Sequence, residues 1–199
     1  MLSRRQEGVT LLELMVGVAV LAIALAMGLP SFGAWIRNTH NRTAAESIVN
    51  GLQLARAEAV RRNTLVRFDL TDAGGKVEWK VGCVNVTAAC PANIQTRPAA
   101  EGSVDARVGT SASVIPSPAP AGFFNTPVNP GTNAVAGISF NGLGRVPDAN
   151  VGNDITRADI THVSGVANAK RYVVLVSRGG LIRMCDPALD FSTNPQGCS

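Results

Sequence analysis

Between Leu14 and Ile36 the chain runs for 23 residues without a charged side chain. As a helix that stretch is roughly 35 Å long, enough to cross a bilayer. Arg4 and Arg5 precede it. Basic flanks stay cytoplasmic, so everything after Ile36 is expected on the far side of the membrane. A chain of 199 residues has room for one such element and one ordinary domain. Only 16% of residues are charged and 46% are hydrophobic, which excludes wholesale disorder. A cleaved secretory signal has a shorter apolar region ending at a small-residue site. Here no break separates the run from the polar helix that follows, so a retained anchor fits better. Four cysteines, Cys83, Cys90, Cys185 and Cys198, fall into two local pairs and suit an oxidising compartment. Three connectivities are open, of which Cys83–Cys90 with Cys185–Cys198 is the most local.

One residue is out of place in the apolar run. Glu13 stands near its start, where a buried carboxylate is costly. Two readings stay open: an interfacial acid favoured by a helix N-terminus, or a carboxylate awaiting a cation. The stretch Gly8-Val9-Thr10-Leu11-Leu12-Glu13-Leu14-Met15 resembles the processing site of type IV pilins and type II secretion pseudopilins. The resemblance implies that a prepilin peptidase removes residues 1–8 by cutting after Gly8 and methylates Val9. Val9 departs from the family's usual Phe. The resemblance further implies that Glu13 compensates the new amino terminus of a neighbouring subunit during filament assembly. Two opposite buried charges cost less together than apart. Pro30 matches a point where helices of the family bend, and proline removes a helical hydrogen bond there.

Residues 38–62 continue the helix with an amphipathic pattern. Ala45, Ile48, Leu52, Ala55 and Ala59 recur at spacings of three and four. Arg61-Arg62-Asn63 is a plausible end, with cations in the last turn. Within this stretch Leu52-Gln53-Leu54-Ala55-Arg56-Ala57-Glu58-Ala59 is similar to a segment of the GspH/FimT/FimU group. After Asn63 the period changes to two. Strands are expected over residues 65–70, 76–81, near 104–108, and over 136–140, 171–177 and 181–184. Arg178-Gly179-Gly180 is a hairpin signal. Residues 109–133 carry five prolines among Ser, Gly and Ala and read as a long loop, with Phe123 and Phe124 tacking it to the core. The expected fold is α+β: residues 9–36 as a membrane and filament-core helix, and residues 37–199 as a periplasmic head in which helix 38–62 packs on a mainly antiparallel β-sandwich.

No nucleophile elbow, phosphate-binding glycine loop or H-E-x-x-H pattern occurs, so no enzyme and no cofactor is expected. With no C-x-x-C pair and only two histidines, no metal site is expected either. His40 reads as solvated and His162 as a surface strand residue. Some FimT-like minor pilins bind DNA through Gly-Arg-x-Arg near the C-terminus. The matching stretch here is Gly180-Leu181-Ile182-Arg183, in which Leu181 replaces the first arginine. Arg178 could substitute across the hairpin, with Arg145, Lys170 and Arg171 adding positive charge. Phosphate contacts dominate nonspecific DNA affinity, and a few scattered arginines give weak binding. A merely solvated hairpin is the competing reading. The resemblance implies a minor type IV pilin, held in the inner membrane by one span and then incorporated into, or priming, the pilus fibre at the cell surface. Its partners would be other major and minor pilins, the prepilin peptidase and, through the arginines, DNA. The alternative is a GspH-like minor pseudopilin of type II secretion.

Overall fold

The computed structural model describes residues 8–101, 103–134, 136–165 and 169–198, without the side chains of residues 27–31. The leader expected at residues 1–8 therefore lies outside the described residues except for Gly8, and so does the side chain of Pro30.

The long helix α1 (Leu11–Arg62) begins where Thr10 Oγ1 accepts the backbone N–H of Glu13 at 3.2 Å. A threonine hydroxyl here satisfies one of the donors that every helix start leaves unpaired. Residues 8–36 and 37–199 fall into separate units. In the first, every described side chain from Val9 to Ala26 is exposed. Among the described residues no helix is long and apolar enough to cross a membrane; the described side chains break off after Ala26 and resume at Phe32.

In the second unit the helix ends as its sequence predicts. Asn63 adopts a left-handed φ of 48°, Thr64 N–H reaches Ala59 O at 3.2 Å and Asn63 N–H reaches Val60 O at 3.3 Å. These are the two bonds of a Schellman cap, and asparagine is one of the few residues besides glycine that tolerates the cap's backbone. The expected stripe Ala45, Ile48, Leu52, Ala55 and Ala59 is buried, joined by Ala44. Its small residues let the helix lie close to the strands. At Gly51 even a methyl group would stand 2.7 Å from the Phe68 ring.

Among the described residues the head holds eight strands: β1 (Val66–Leu70), β2 (Trp79–Cys83), β3 (Gln95–Arg97), β4 (Ala106–Ser111), β5 (Gly137–Phe140), β6 (Arg157–His162), β7 (Tyr172–Val176) and β8 (Ile182–Cys185). They form two four-stranded sheets, ordered β3-β2-β1-β5 and β4-β6-β7-β8, with every described strand pairing antiparallel. The α+β expectation is met. Both sheets send side chains into one core with the helix: Phe68 and Val81 from the first, Val108, Ile160 and Val174 from the second. Trp79 keeps its indole N–H satisfied at Ser47 Oγ, 2.9 Å away.

Four elements differ from the sequence reading, the first being β4, which runs to Ser111 into the stretch read as loop from residue 109. The alternation over residues 76–81 yields a strand only from Trp79; Lys76 makes an isolated bridge to Arg107 instead. β3 is not expected from the sequence, and of β6 only His162 reads as a strand residue. β6 alternates Arg157, Asp159 and Thr161 with Ala158 and Ile160, the pattern of a half-exposed strand, yet it is buried along its whole length. Its outer face lies beneath the proline-rich loop. Phe124 is buried there in a second cluster with Val173, Cys185 and Cys198, and Leu175 packs against it.

Candidate functional site

The arginine-bearing turns are built from backbone first. Residues 141–145 close on themselves: Asn141 N–H donates to Arg145 O at 2.9 Å, and Asn141 Oδ1 accepts the N–H of Leu143 and Arg145. The β7–β8 turn closes through Gly180 N–H to Ser177 O at 2.9 Å. Val146 N–H then donates to Arg178 O at 3.1 Å and joins the two turns. Gly180 sits at φ 79°, and a Cβ on it would lie 2.0 Å from Gly144 O. Only glycine permits both that backbone conformation and that approach. Arg56, from the helix segment similar to the GspH group, donates its Nε to the same Gly144 carbonyl at 3.1 Å.

Arg145 and Arg178 are exposed and line a cleft of about 320 Å³ between these turns, together with Asp148. Among the described residues neither guanidinium has an ion-pair partner. They are the two of the six expected basic and glycine positions that present free charge. Gly180 acts through its backbone. The other three are engaged inside the molecule. Arg183 Nη2 donates to Gly197 O and Cys198 O at 2.8 and 2.9 Å, and its guanidinium lies 4.6 Å from the centre of the Phe191 ring. Arg171 binds Asp159 and the carbonyls of Phe124 and Asn125. Lys170 pairs with Asp186 at 2.7 Å, and that partner holds its ammonium above the ordinary lysine value. The structure thus does not bring the expected cations together on one open hairpin face. It brings two of them together, and ties the rest to the tail and the loop.

The disulfides join Cys83 to Cys90 and Cys185 to Cys198, the most local of the three connectivities. The second one closes the tail whose carbonyls receive Arg183. At the other end of the chain, Gly8 and Val9 precede the helix in irregular, exposed backbone, and Glu13 is exposed on its first turn.

The two histidines differ most from their sequence reading. His162 ends β6, is buried, and has Nδ1 held at 2.7 Å from Ser164 Oγ. Burial lowers its pKa, with Arg37, His40 and Arg107 acting in the same direction and Asp105 against. His40 is half-buried and lies with Nδ1 at 3.7 Å from Asp105 Oδ2. No spacing rule could pair these histidines, because strand register and helix packing bring them together.

Comparison with known proteins gives two family matches. Residues 44–180 match the family described as type II transport protein GspH. Residues 3–29 match the prokaryotic N-terminal methylation motif. No curated protein matches the chain. Two crystal forms of the type IV minor pilin FimU of Pseudomonas aeruginosa (strain PAO1) are similar in structure, at 17% and 18% identity and a TM-score of 0.47 in both. Each covers 74% of this chain, and 94% and 90% of FimU respectively.

Proposed function

This chain belongs to the GspH family and so to the minor type IV pilins and pseudopilins, and from that premise we propose that it is a minor pilin that residues 9–36 hold in the inner membrane before the filament takes it up. The observation that carries the reading is the uncovered apolar surface of the first helical unit. Val9, Leu11 and Leu12 are 71%, 79% and 75% exposed, and the exposure continues to Ala26. So long an apolar surface needs lipid or other helices against it. Glu13 stands on that surface, and in such surroundings a carboxylate needs a cation. The ammonium created by cutting after Gly8, on Val9 of a neighbouring copy, supplies one. Pro30 lowers the cost of bending this helix where subunits pack.

Intact-mass measurement on protein made with and without prepilin peptidase tests the processing: the mature form lacks residues 1–8 and carries one added methyl group. Glu13→Ala tests the docking. The variant reaches the membrane but is missing from sheared filaments, and its presence there at the wild-type level refutes the role.

The description of the matching family supports a second reading, a pseudopilus subunit of type II secretion. Deletion separates the two: loss of surface pili with normal exoprotein release supports the first, and the reverse supports the second. The proposed contact with duplex DNA is through Arg145 and Arg178, the two exposed arginines of the C-terminal turns. Two phosphate contacts to duplex DNA give a log–log salt dependence with a slope of about −1.8. An unchanged affinity and slope in Arg145→Ala/Arg178→Ala excludes that surface.

A further inference from the structure

We propose that His40, Asp105 and His162 form a binding site for one divalent transition-metal ion, with zinc as the best fit. The only two histidines of the chain meet there. His40 comes from α1, His162 is the last residue of β6, and Asp105 stands immediately ahead of β4. One nitrogen of each ring and one carboxylate oxygen all lie within 4.8 Å of one another.

Three observations support a ligand set over a chance cluster. The first is spacing. Tetrahedral zinc, with bonds of about 2.0–2.2 Å, places neighbouring ligand atoms roughly 3.3–3.5 Å apart. His40 Nδ1 and Asp105 Oδ2 are 3.7 Å apart, so a small side-chain rotation closes that edge. The second is an unmet need. The His40 Nδ1 atom is buried and has no hydrogen-bond partner among the described residues. A buried polar nitrogen in that state is costly and calls for an explanation, and a metal ion satisfies it. The third is an existing outer hold. Ser164 contacts His162 Nδ1 through its hydroxyl at 2.7 Å and its backbone N–H at 3.1 Å. Metal-binding imidazoles are oriented by such a partner on the ring. The backbone N–H of Ser164 donates to Nδ1, so the metal-free ring carries its proton on Nε2; binding an ion at Nε2 moves that proton to Nδ1, where Ser164 Oγ accepts it.

The backbone places these residues independently of any ion. Ala106 faces His162 across the β4–β6 ladder, and Val163 N–H donates to Asp105 O at 2.8 Å. Two imidazoles and one carboxylate suit zinc or cobalt better than the oxygen-seeking calcium and magnesium. Arg37 and Arg107 act on the same site by charge. They weaken any ion held by charge alone more than one bonded to imidazole. Arg107 Nη1 already donates to the carbonyls of Val104 and Ala106, both at 2.8 Å. Three protein ligands leave a fourth position for water. Bound there, the ion cross-links α1 to the β4–β6 pair.

The test uses the full chain, without a polyhistidine tag and freed of metal with a chelator. Zinc is titrated calorimetrically, and cobalt is followed by its visible absorption. The expected result is one equivalent bound and an intense four-coordinate cobalt spectrum. Unfolding should shift upward by roughly 5–10 °C at a hundred-fold excess over Kd, with no shift from calcium or magnesium. His40→Gln and Asp105→Asn sit at partly exposed positions and leave the His162–Ser164 contact intact. Each should weaken zinc at least about tenfold. Absence of stoichiometric binding overturns the proposal, and so does binding that both variants leave unchanged. A His162→Gln variant that fails to fold does not affect either outcome.

Discussion

Asp159 lies at the centre of a buried polar network in the head, and its removal has a calculable cost. Its carboxylate is fully buried and accepts four hydrogen bonds. Arg157 grips it with two, Nε to Oδ1 at 2.6 Å and Nη2 to Oδ2 at 2.8 Å. Arg171 Nη1 adds a third at 2.5 Å, and Val128 N–H a fourth at 3.0 Å. The same two arginines reach the loop above: Arg157 to Thr126 O at 2.8 Å, Arg171 to Phe124 O at 2.5 Å. Asp159→Ala leaves two guanidinium groups, with side chains 9% and 11% exposed, facing each other without a counter-ion. Removing one partner from a buried charge pair costs about 3–5 kcal/mol. For a protein of this length that lowers the unfolding midpoint by roughly 6–20 °C.

Urea titration of the oxidised protein measures the loss. Hydrogen exchange at the Val128 amide and proteolysis within residues 112–133 report on the loop. All three should change together, because one carboxylate serves strand and loop at once. Arg171→Met should cost less, about 1.5–3 kcal/mol, since Arg157 keeps its two-point grip. The two changes should also be non-additive by at least about 0.5 kcal/mol. A loss below about 1 kcal/mol in Asp159→Ala, with Val128 exchange and loop cleavage unchanged, refutes the view that this network pins the loop.

Three further outcomes follow from single sites. Gly180→Ala forces a Cβ to 2.0 Å from Gly144 O at φ 79°. It should cost about 2–4 kcal/mol in urea unfolding, from the left-handed backbone and the clash together. Replacing Cys185 and Cys198 by Ser opens a loop of sequence separation 13. It should lower stability by about 3 kcal/mol, and reduced peptide mapping checks that the other disulfide persists. Glu58 has its pKa held below the unfolded value of 4.5, first by the hydrogen bond from Arg61 and also by Arg62. That stabilisation is present above the unfolded value and lost as pH falls through the folded one. Thermal unfolding of Glu58→Gln across that range should therefore show a shallower acid-side decline than wild type.

What the sequence disclosed depended on the range of the interaction. The helix stripe was legible because burial on a helix repeats every three to four residues. Asn63 was legible as an end because the cap is local. The β7–β8 hairpin was legible because glycines at its turn must satisfy a tight backbone. β6 was hidden for the opposite reason. Its Arg157 and Asp159 look like solvent-facing polar residues, yet a loop more than thirty positions earlier in the chain covers them.

The same distinction governs the arginines. A guanidinium in a sequence shows charge but not whether that charge is already engaged. Arg183 occupies the position of the Gly-Arg-x-Arg arginine, but it donates to the carbonyls of Gly197 and Cys198 and lies over Phe191. To bind a phosphate it would first have to give up two charge-assisted bonds, which are among the stronger ones a protein makes. Arg145 and Arg178 face no such loss, because their turns are held by backbone bonds and by the side chains of Asn141, Ser177 and Arg56, while their own heads stay in water. The turn that fixes them, Gly144 against Gly180, is the part of the motif whose chemistry is purely steric. Any anion this head binds through its C-terminal turns should therefore respond to Arg145→Ala and Arg178→Ala more than to Arg183→Ala, whose main effect should be on the anchoring of the tail.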